Sequence, residues 1–239
     1  SSITLNYAQN SGGGVRALRN VDTYFADTTI SSNETGTGSG AGVFFHLVPE
    51  ARSAAFQNVT ITQNDAGEYA GGIYIYACGA SSCPLPVVPT LVNTILAMNT
   101  STHTGSADCQ GDLLSLGHNV LGQYADVPTI CSELPDPLAL PSDQVVLSLP
   151  NVGGLYSNGQ PGGQYHRIYS GSVAHDTGDN AWCAPNDQVQ TARYGAACEI
   201  GAIELEEHDS CCTSNGCLQD VSLAVCNEHN GTFRPGLAC

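Results

Sequence analysis

The sequence contains no lysine, and this absence narrows the chemistry open to the chain. Its 239 residues include six basic side chains, all arginine, against 22 Asp and Glu, so the formal net charge is −16. A lysine nucleophile or Schiff base is therefore excluded. Nucleic acid is a poor partner, because binding phosphates requires a basic face. The acidic surface favours solubility and attracts cations such as calcium.

Long apolar runs are also missing. No stretch of 18 apolar residues occurs, so the sequence predicts no membrane span. Hydrophobic residues still make up 41% of the chain, which is enough for a sizeable core. Length and composition together indicate one large domain, or one domain with a small appendage.

Cysteine, by contrast, is plentiful. The chain has eleven cysteines but no paired C-x-x-C knuckles of the kind that bind zinc. This pattern predicts disulfides in an oxidising, extracellular or cell-surface setting. Proximity suggests the pairs Cys78–Cys83, Cys109–Cys131 and Cys183–Cys198. The other five cysteines crowd the last 29 residues, and the odd total leaves one thiol free or joined to another chain: Cys211, Cys212, Cys217, Cys226 and Cys239.

A repeat of 27 to 34 residues runs through the first half of the chain. Its segments are "SITLNYAQNSGGGV", "TISSNETGTGSGAGVFF", "TITQNDAGEYAGGIYI" and "TILAMNT". The isoleucines predicted to be equivalent are Ile3, Ile30, Ile61 and Ile95. An asparagine lies three residues after each of the first three isoleucines: Asn6, Asn33 and Asn64. A glycine lies eight or nine residues after each asparagine: Gly14, Gly42 and Gly72.

The composition of these repeats favours stacked strands. Short alternations of Thr with Ile or Val predict strands with one buried face, and glycine pairs mark tight turns. Asparagines at matching positions can form ladders between turns of the chain. We therefore expect an all-β fold, a right-handed parallel β-helix (solenoid) with a small disulfide-rich C-terminal module. The alternative is a β-sandwich with accidental repeat similarity.

Two segments carry a resemblance to a known family. "NTILAMNTSTHTGSADCQGDLLSLGHNVLG" and the "GGGV" and "AGGIYI" repeats resemble bacterial surface proteins with right-handed parallel β-helices, of the polymorphic outer-membrane-protein type. "GSVAHDTGDNAWCAPNDQVQ" and "ACEIGAIE" resemble the terminal module called the choice-of-anchor Q domain. The chain departs from that pattern at Val173, His175, the "DQVQ" turn and Glu199, so an arginine usual in that turn is missing.

The resemblance implies an extracellular scaffold with no specific reaction. It implies a β-helix over residues 1–207, closed by a capping block at 171–207 in which "IGAIE" supplies the last strand. Residues 208–239 resemble the small Cys-rich modules appended to secreted bacterial proteins. Such a short segment must be stapled by disulfides, because it cannot build its own core.

The capping block holds the best candidates for a functional site. Asp176, Asp179 and Asp187 are candidate calcium ligands, or hydrolase carboxylates acting with neighbouring His166, Arg167 and His175. The favoured interpretation is that the three aspartates hydrogen-bond turns. The outward repeat positions are polar, with no carboxylates in register on neighbouring turns: Thr29, Ser31, Thr60, Thr62 and Thr94. Four sequons are candidate glycosylation sites: Asn33, Asn58, Asn99 and Asn230.

The expected function is therefore a non-catalytic structural or adhesion role outside the cell, with a polysaccharide or cell-surface ligand. The alternative is a polysaccharide lyase, a glycoside hydrolase or a carbohydrate-binding module on the same scaffold, with calcium as the one cofactor considered. The sequence opens inside a repeat with no visible cap. A fragment, a processed terminus, or self-association of the open coil into an oligomer or filament would each explain this.

Overall fold

A computed structural model describes most of the chain. The described residues are 1–18, 22–47, 53–77, 88–103, 107–122, 131–132, 140–149, 151–169, 171–193, 196–205, 208–214, 216–222 and 231–234. The chain divides into two compact units, Ser1–Glu204 and Leu205–Cys239. The sequence predicts this boundary between residues 207 and 208.

The protein is all-β, and the first unit is dominated by short strands. In chain order they are β1 (Ser2–Thr4), β2 (Tyr7–Ala8), β3 (Val15–Leu18), β4 (Thr23–Ser31), β5 (Glu34–Thr35), β6 (Val43–Leu47), β7 (Ala54–Thr62), β8 (Asp65–Ala66), β9 (Ile73–Ala77), β10 (Thr90–Val92), β11 (Ile95–Leu96), β12 (Thr100–Ser101), β13 (Cys109–Gln110), β14 (Leu114–Ser115), β15 (Val120–Gly122), β16 (Cys131–Ser132), β17 (Gln144–Val146), β18 (Val152–Ser157) and β19 (Gln164–Ile168). The described residues include no α-helix, and one 3₁₀ turn, η1, covers Asn180–Trp182.

Three parallel sheets organise β1 to β17, and each pass of the chain adds a strand to them in turn. The first sheet has the order β1-β4-β7-β11-β15-β17, with β10 and β14 beside it. The second is β2-β5-β8-β12, and the third is β3-β6-β9-β13-β16. Parallel pairing of each pass with the next is what the repeat predicted.

The largest core cluster draws on the first and third sheets. Ile30, Val59 and Ile61 from the first sheet pack with Phe45 and other buried side chains of the third. Alternation along each strand sends every second residue into this core and its neighbours outward. The thirteen buried members are apolar, which accounts for the Ile and Val positions of the repeat.

The expected alignment of the repeats is wrong by one residue in the fourth segment. Ile3, Ile30 and Ile61 are register partners, but the next partner is Leu96 rather than Ile95, which pairs with Thr60. A shift of one residue exchanges the two faces of a strand. Ile95 therefore points away from the main core and belongs to a second apolar cluster.

An asparagine ladder joins successive passes between the first and second sheets, as the repeat predicted. The Oδ1 atoms of Asn33, Asn64 and Asn99 each accept two hydrogen bonds, from the backbone N and Nδ2 of the preceding ladder asparagine. Asp108 ends the ladder by accepting the same two bonds from Asn99, both at 2.8 Å. The ladder thus satisfies buried amides that would otherwise be costly.

Glycines permit the close approach of neighbouring passes beside this ladder. A Cβ on Gly42 would lie 2.6 Å from the carbonyl oxygen of Gly72 and 3.1 Å from Asn64 Nδ2. The conserved spacing of Gly14, Gly42 and Gly72 within the repeat therefore reflects contact between backbones and ladder amides.

The "IGAIE" segment does not supply the last strand of the repeat array, as the resemblance had implied. Residues 199–205, with "IGAIE", form no strand, and β18 and β19 pair with each other as an antiparallel hairpin. The described residues of 151–204, here called the terminal block, contact the outer face of the first sheet. The expected last strand is absent because the backbone of this segment bonds to turns, as Ile200 N does to Ala174 O.

The second unit contains one antiparallel sheet, in the order β21-β20-β22. Its strands are β20 (His208–Thr213), β21 (Gly216–Ser222) and β22 (Thr232–Arg234). Cys211 and Cys212 are disulfide-bonded, in keeping with a stapled module. Cys226 and Cys239 lie outside the described residues.

Candidate functional site

A column of three residues on the first sheet holds the terminal block. Asp27, Asn58 and Asn93 all have positive φ, between 44° and 53°, a conformation that Asp and Asn tolerate better than most residues. Asp27 pairs with Arg193 at 3.0 Å, and Asn58 Nδ2 donates to Trp182 O. Asn93 bonds both the amide and the carbonyl of Asp179. We call this set the anchor column.

The terminal block also covers the polar outer face of the first sheet. Thr29 Oγ1 donates to Gln188 Oε1, and Ser31 Oγ lies 2.7 Å from His166 Nε2. Thr60 Oγ1 accepts a hydrogen bond from Ala202 N. These hydroxyls are almost fully buried, so these outward polar positions of the repeat form an internal polar interface.

His166 is fixed in this interface by both ring nitrogens. Its Nδ1 lies 2.8 Å from Gly153 O, while Nε2 faces Ser31. Burial lowers the pKa of His166, so the neutral ring is favoured. The side chain therefore links the terminal block to the first sheet. The sequence suggested a catalytic role for His166, and its buried ring does not support that role.

The three aspartates proposed as calcium ligands do not converge. Asp179 Oδ1 accepts from Ala181 N and caps η1, and Asp187 Oδ1 accepts from Val189 N and Thr191 N. Asp187 Oδ2 accepts from Glu204 N. The interpretation as turn-forming residues is therefore confirmed for Asp179 and Asp187. Within the described ranges, the one His/Asp/Glu cluster tight enough for a single ion contains Asp176 but neither of the others.

Buried charge is concentrated around Arg193. Its guanidinium pairs with Glu204 at 3.3 Å as well as with Asp27, and it donates to Gly201 O. An arginine in this block thus does form ion pairs, although the "DQVQ" turn lacks one. Beside it, Glu199 is 2% exposed, and burial together with the adjoining Glu204 carboxylate raises the pKa of Glu199.

A disulfide and a cavity lie at the other side of Arg193. Cys183 and Cys198 are joined, which is the pair proposed from the sequence. Cys109 is also disulfide-bonded, and its register neighbour on β16 is Cys131. Cys78 and Cys83 fall outside the described residues. The cavity, of about 300 Å³, is lined by Asn180, Cys183, Ala184, Pro185, Arg193, Ala197 and Cys198. Its one charged group, Arg193, is already paired.

The structure contradicts three of the four candidate glycosylation sites. Asn33 and Asn99 are ladder residues, and Asn58 belongs to the anchor column. Each is at most 3% exposed, and each Nδ2 donates a hydrogen bond inside the protein. A glycan on these nitrogens is incompatible with the folded chain. Asn230 lies outside the described residues.

The outer face of the third sheet carries aromatic side chains in two columns. Arg16, Phe44 and Tyr74 are register partners in one column, and His46 and Tyr76 are partners in the other. Core residues alternate with them along the same strands, which places these side chains on the opposite surface. Together with two side chains from the adjoining turns, they form what we call the aromatic face: Arg16, Phe44, His46, Tyr69, Tyr74, Tyr76 and His103.

Contacts between neighbouring rings link five members of this face, and His46 and Tyr76 form a separate edge-to-face pair at 5.1 Å between centroids. Phe44 stacks on Tyr74 at 5.6 Å between ring centroids, with Arg16 over the other side of Phe44. Tyr69 links Tyr74 to His103, at centroid distances of 6.1 and 4.2 Å. Tyr76 is 50% exposed. Stacking between adjacent strands orders the rings, while Tyr76 and His103 stay open to solvent.

Two exposed carboxylates stand in register on the neighbouring second sheet, contrary to expectation. Glu34 on β5 pairs with Asp65 on β8, and Tyr7 and Thr100 extend the column. Thr100 Oγ1 donates to Asp65 Oδ1 at 2.6 Å. This pair is not evident in the repeat strands of the first sheet, because each acid directly follows a ladder asparagine on the second sheet.

Comparisons of the chain with protein-family models, with curated proteins and with solved structures found no match. Across the part of the chain that the structure describes, there is no helix with the length and apolar character needed to cross a membrane. The functional argument therefore rests on the geometry of the molecule.

Proposed function

We propose that this protein is an extracellular adhesion module that binds neutral polysaccharide through the aromatic face of a right-handed parallel β-helix. The fold proposal is supported by the three parallel sheets, which receive one strand each from successive passes of the chain. Crossovers between parallel strands are right-handed in nearly all proteins. The resemblance to β-helix surface proteins and the disulfides agree with an extracellular location.

The aromatic face is the observation that carries the binding proposal. A sugar ring presents a C–H surface that packs on aromatic rings and a rim of hydroxyls that needs polar partners. Tyr76 and Tyr69 supply rings with a polar end, and His46 and Arg16 supply hydrogen-bonding groups beside them. Rings in register repeat at the spacing of the strands, about 4.8 Å, which makes the surface extended rather than a closed pocket.

Electrostatics favours a neutral ligand. The chain has a net charge of −16, and Glu34, Asp65 and Glu68 are exposed on the strands and turns next to the aromatic face. An anionic polysaccharide would meet repulsion there, and Arg16 is the one cation of the face. Carboxylates accept hydrogen bonds from sugar hydroxyls, so they suit a neutral chain.

Affinity electrophoresis of the full chain tests this proposal. Gels would contain hydroxyethylcellulose, xylan, galactomannan or laminarin, with polygalacturonate as the anionic comparison. We expect retardation by at least one neutral polymer, and a loss of about tenfold in affinity for Tyr76→Ala and for Tyr69→Ala. Tyr156→Ala is the matched control, because Tyr156 is an exposed tyrosine of β18.

Two results would reject the binding proposal. One is the absence of retardation by every neutral polymer. The other is an equal loss of binding in the Tyr156→Ala control, which would show that the aromatic face has no special part in recognition.

A second candidate function, glycoside hydrolysis, is favoured by Glu34 and Asp65. Adjacent strands lie about 4.8 Å apart, and the carboxyl groups of retaining glycosidases are separated by about 5 Å. Release of reducing ends from the same polymers, abolished in Glu34→Gln, would support this function. Binding without product release would favour adhesion. Self-association through the first strand stays a prediction, which sedimentation of the native protein would test.

A further inference from the structure

Three potential metal ligands meet in the terminal block. The Nε2 atom of His175 lies 3.6 Å from Asp176 Oδ2 and 3.8 Å from Glu199 Oε1. All three groups offer a ligand atom within 4.8 Å of the others. The two separations are too long for hydrogen bonds. They are close to the edge of a tetrahedron with metal–ligand distances of 2.0–2.1 Å, which is about 3.4 Å.

Glu199 is the member that points to a missing ligand. Its side chain is 3% exposed, and its Oε2 atom has no hydrogen-bond partner among the described residues. A buried carboxyl oxygen without a partner is costly and calls for an explanation. The three groups are also held in place, because Ile200 N bonds to Ala174 O and so ties the two segments together.

We propose that His175, Asp176 and Glu199 bind one divalent transition-metal ion of the zinc type. An imidazole nitrogen with two carboxylate oxygens is a donor set that suits Zn²⁺, whereas Ca²⁺ prefers six or more oxygens. His175 and Asp176 are 31% and 39% exposed, so the ion has a path of entry and water completes its coordination. The site is independent of the aromatic face and of the proposed carbohydrate binding.

Calorimetric titration of the metal-stripped, oxidised full chain with ZnCl₂ tests the site. We expect one ion per chain with micromolar or tighter affinity, and no comparable binding of CaCl₂. His175→Asn and Glu199→Gln should each weaken Zn²⁺ binding by about 100-fold or more. Loading with Co²⁺ should give the visible absorption of a four-coordinate ion, which the two variants should lose.

Two matched variants serve as controls. Asp179→Asn alters an aspartate of the same block outside the cluster, and His103→Asn alters an exposed histidine elsewhere. Both should bind Zn²⁺ as the wild type does. Glu199→Gln should unfold at the same temperature as the metal-free wild type, since the amide keeps the shape of the carboxyl.

The proposal is overturned if the metal-stripped chain binds no Zn²⁺ at concentrations up to about 100 µM. That concentration is well above the Kd of a structural zinc site. It is equally overturned if His175→Asn and Glu199→Gln bind as the wild type does, or if His103→Asn alone removes the binding.

Discussion

The asparagine ladder and the terminal block bury polar groups in opposite ways. The ladder is periodic and made of neutral amides, each paired with the same residue on the next pass of the chain. The terminal block is aperiodic and charged, with several buried carboxylates gathered around Arg193. In the ladder, the burial of polar groups is distributed over many equal hydrogen bonds. In the terminal block, it depends on the single side chain of Arg193. The predictions below probe this difference.

The largest effect is expected for Arg193→Met. This change leaves Glu204 and Asp27 without their cation, in a region where Glu204 is 1% exposed. Breaking a buried ion pair from one side costs about 3–5 kcal/mol of unfolding free energy. Urea unfolding followed by circular dichroism measures the loss. Arg167→Met, which removes an arginine lying over the Tyr156 ring, should cost about 1 kcal/mol or less.

A change in the middle of the ladder is expected to cost about 3 kcal/mol. Asn64→Ala removes the acceptor for two bonds from Asn33 and the donor to Asn99 and Ile30 O. Asn6→Ala, at the exposed first position, should cost about 1 kcal/mol. Equal losses at the two positions in urea unfolding would contradict a ladder whose strength lies in its buried rungs.

The end of the ladder should show a pH dependence. Burial raises the pKa of Asp108 to about 6 despite the hydrogen bonds from Asn99, so the folded protein holds this proton more tightly than the unfolded chain. The stabilising contribution is present at pH 4 and is lost as pH rises through 6. Asp108→Asn should therefore match the wild type near pH 4 and exceed it by about 3 kcal/mol at pH 7.5.

Unfolding curves of Asp108→Asn and wild type at a series of pH values provide this measurement. A variant that is less stable at pH 7.5 would show that the carboxylate itself, and not a ladder acceptor, is required at this position.

The smallest contrast separates two aspartates of the terminal block. Asp187→Asn loses one acceptor, because Oδ1 and Oδ2 both accept backbone hydrogen bonds, and we expect a loss of about 1–2 kcal/mol. Asp179→Asn keeps the single acceptor that caps η1 and should change stability by less than about 0.5 kcal/mol. Thermal unfolding in EDTA and in CaCl₂ should give the same difference, since both carboxylates already accept backbone hydrogen bonds.

The same comparison explains how much the sequence could predict. Ile30, Ile61 and the ladder asparagines recur at fixed spacing, so strand pairing and the ladder follow from local pattern. Ile95 was misaligned by one residue because Thr94–Ile95 imitates Thr60–Ile61, while the true match, Leu96, is revealed by Asn99 three residues later. The spacing of the ladder asparagines thus predicts the alignment of the repeats better than the apolar residues do.

The terminal block was harder to predict because its partners are distant in sequence. Asp27 and Arg193 are separated by 166 residues, and Thr29 and Gln188 by 159. His175 and Glu199 appeared in the sequence as departures from a resembled pattern, and their proximity emerges only in the folded chain. A sequence signal for the anchor column does exist. Asp27, Asn58 and Asn93 each lie three residues before a register position of the core.

NMR of the histidine side chains during a ligand titration is the most direct test of the proposed function. The ring proton signals of the seven histidines would be followed by NMR while a neutral hexasaccharide, from the polymer that retards the protein most, is added. Binding at the aromatic face predicts that His46 and His103 shift, while His166, buried between the terminal block and the first sheet, does not. Saturable binding that shifts His166 or His175 and leaves His46 and His103 unchanged would contradict the account.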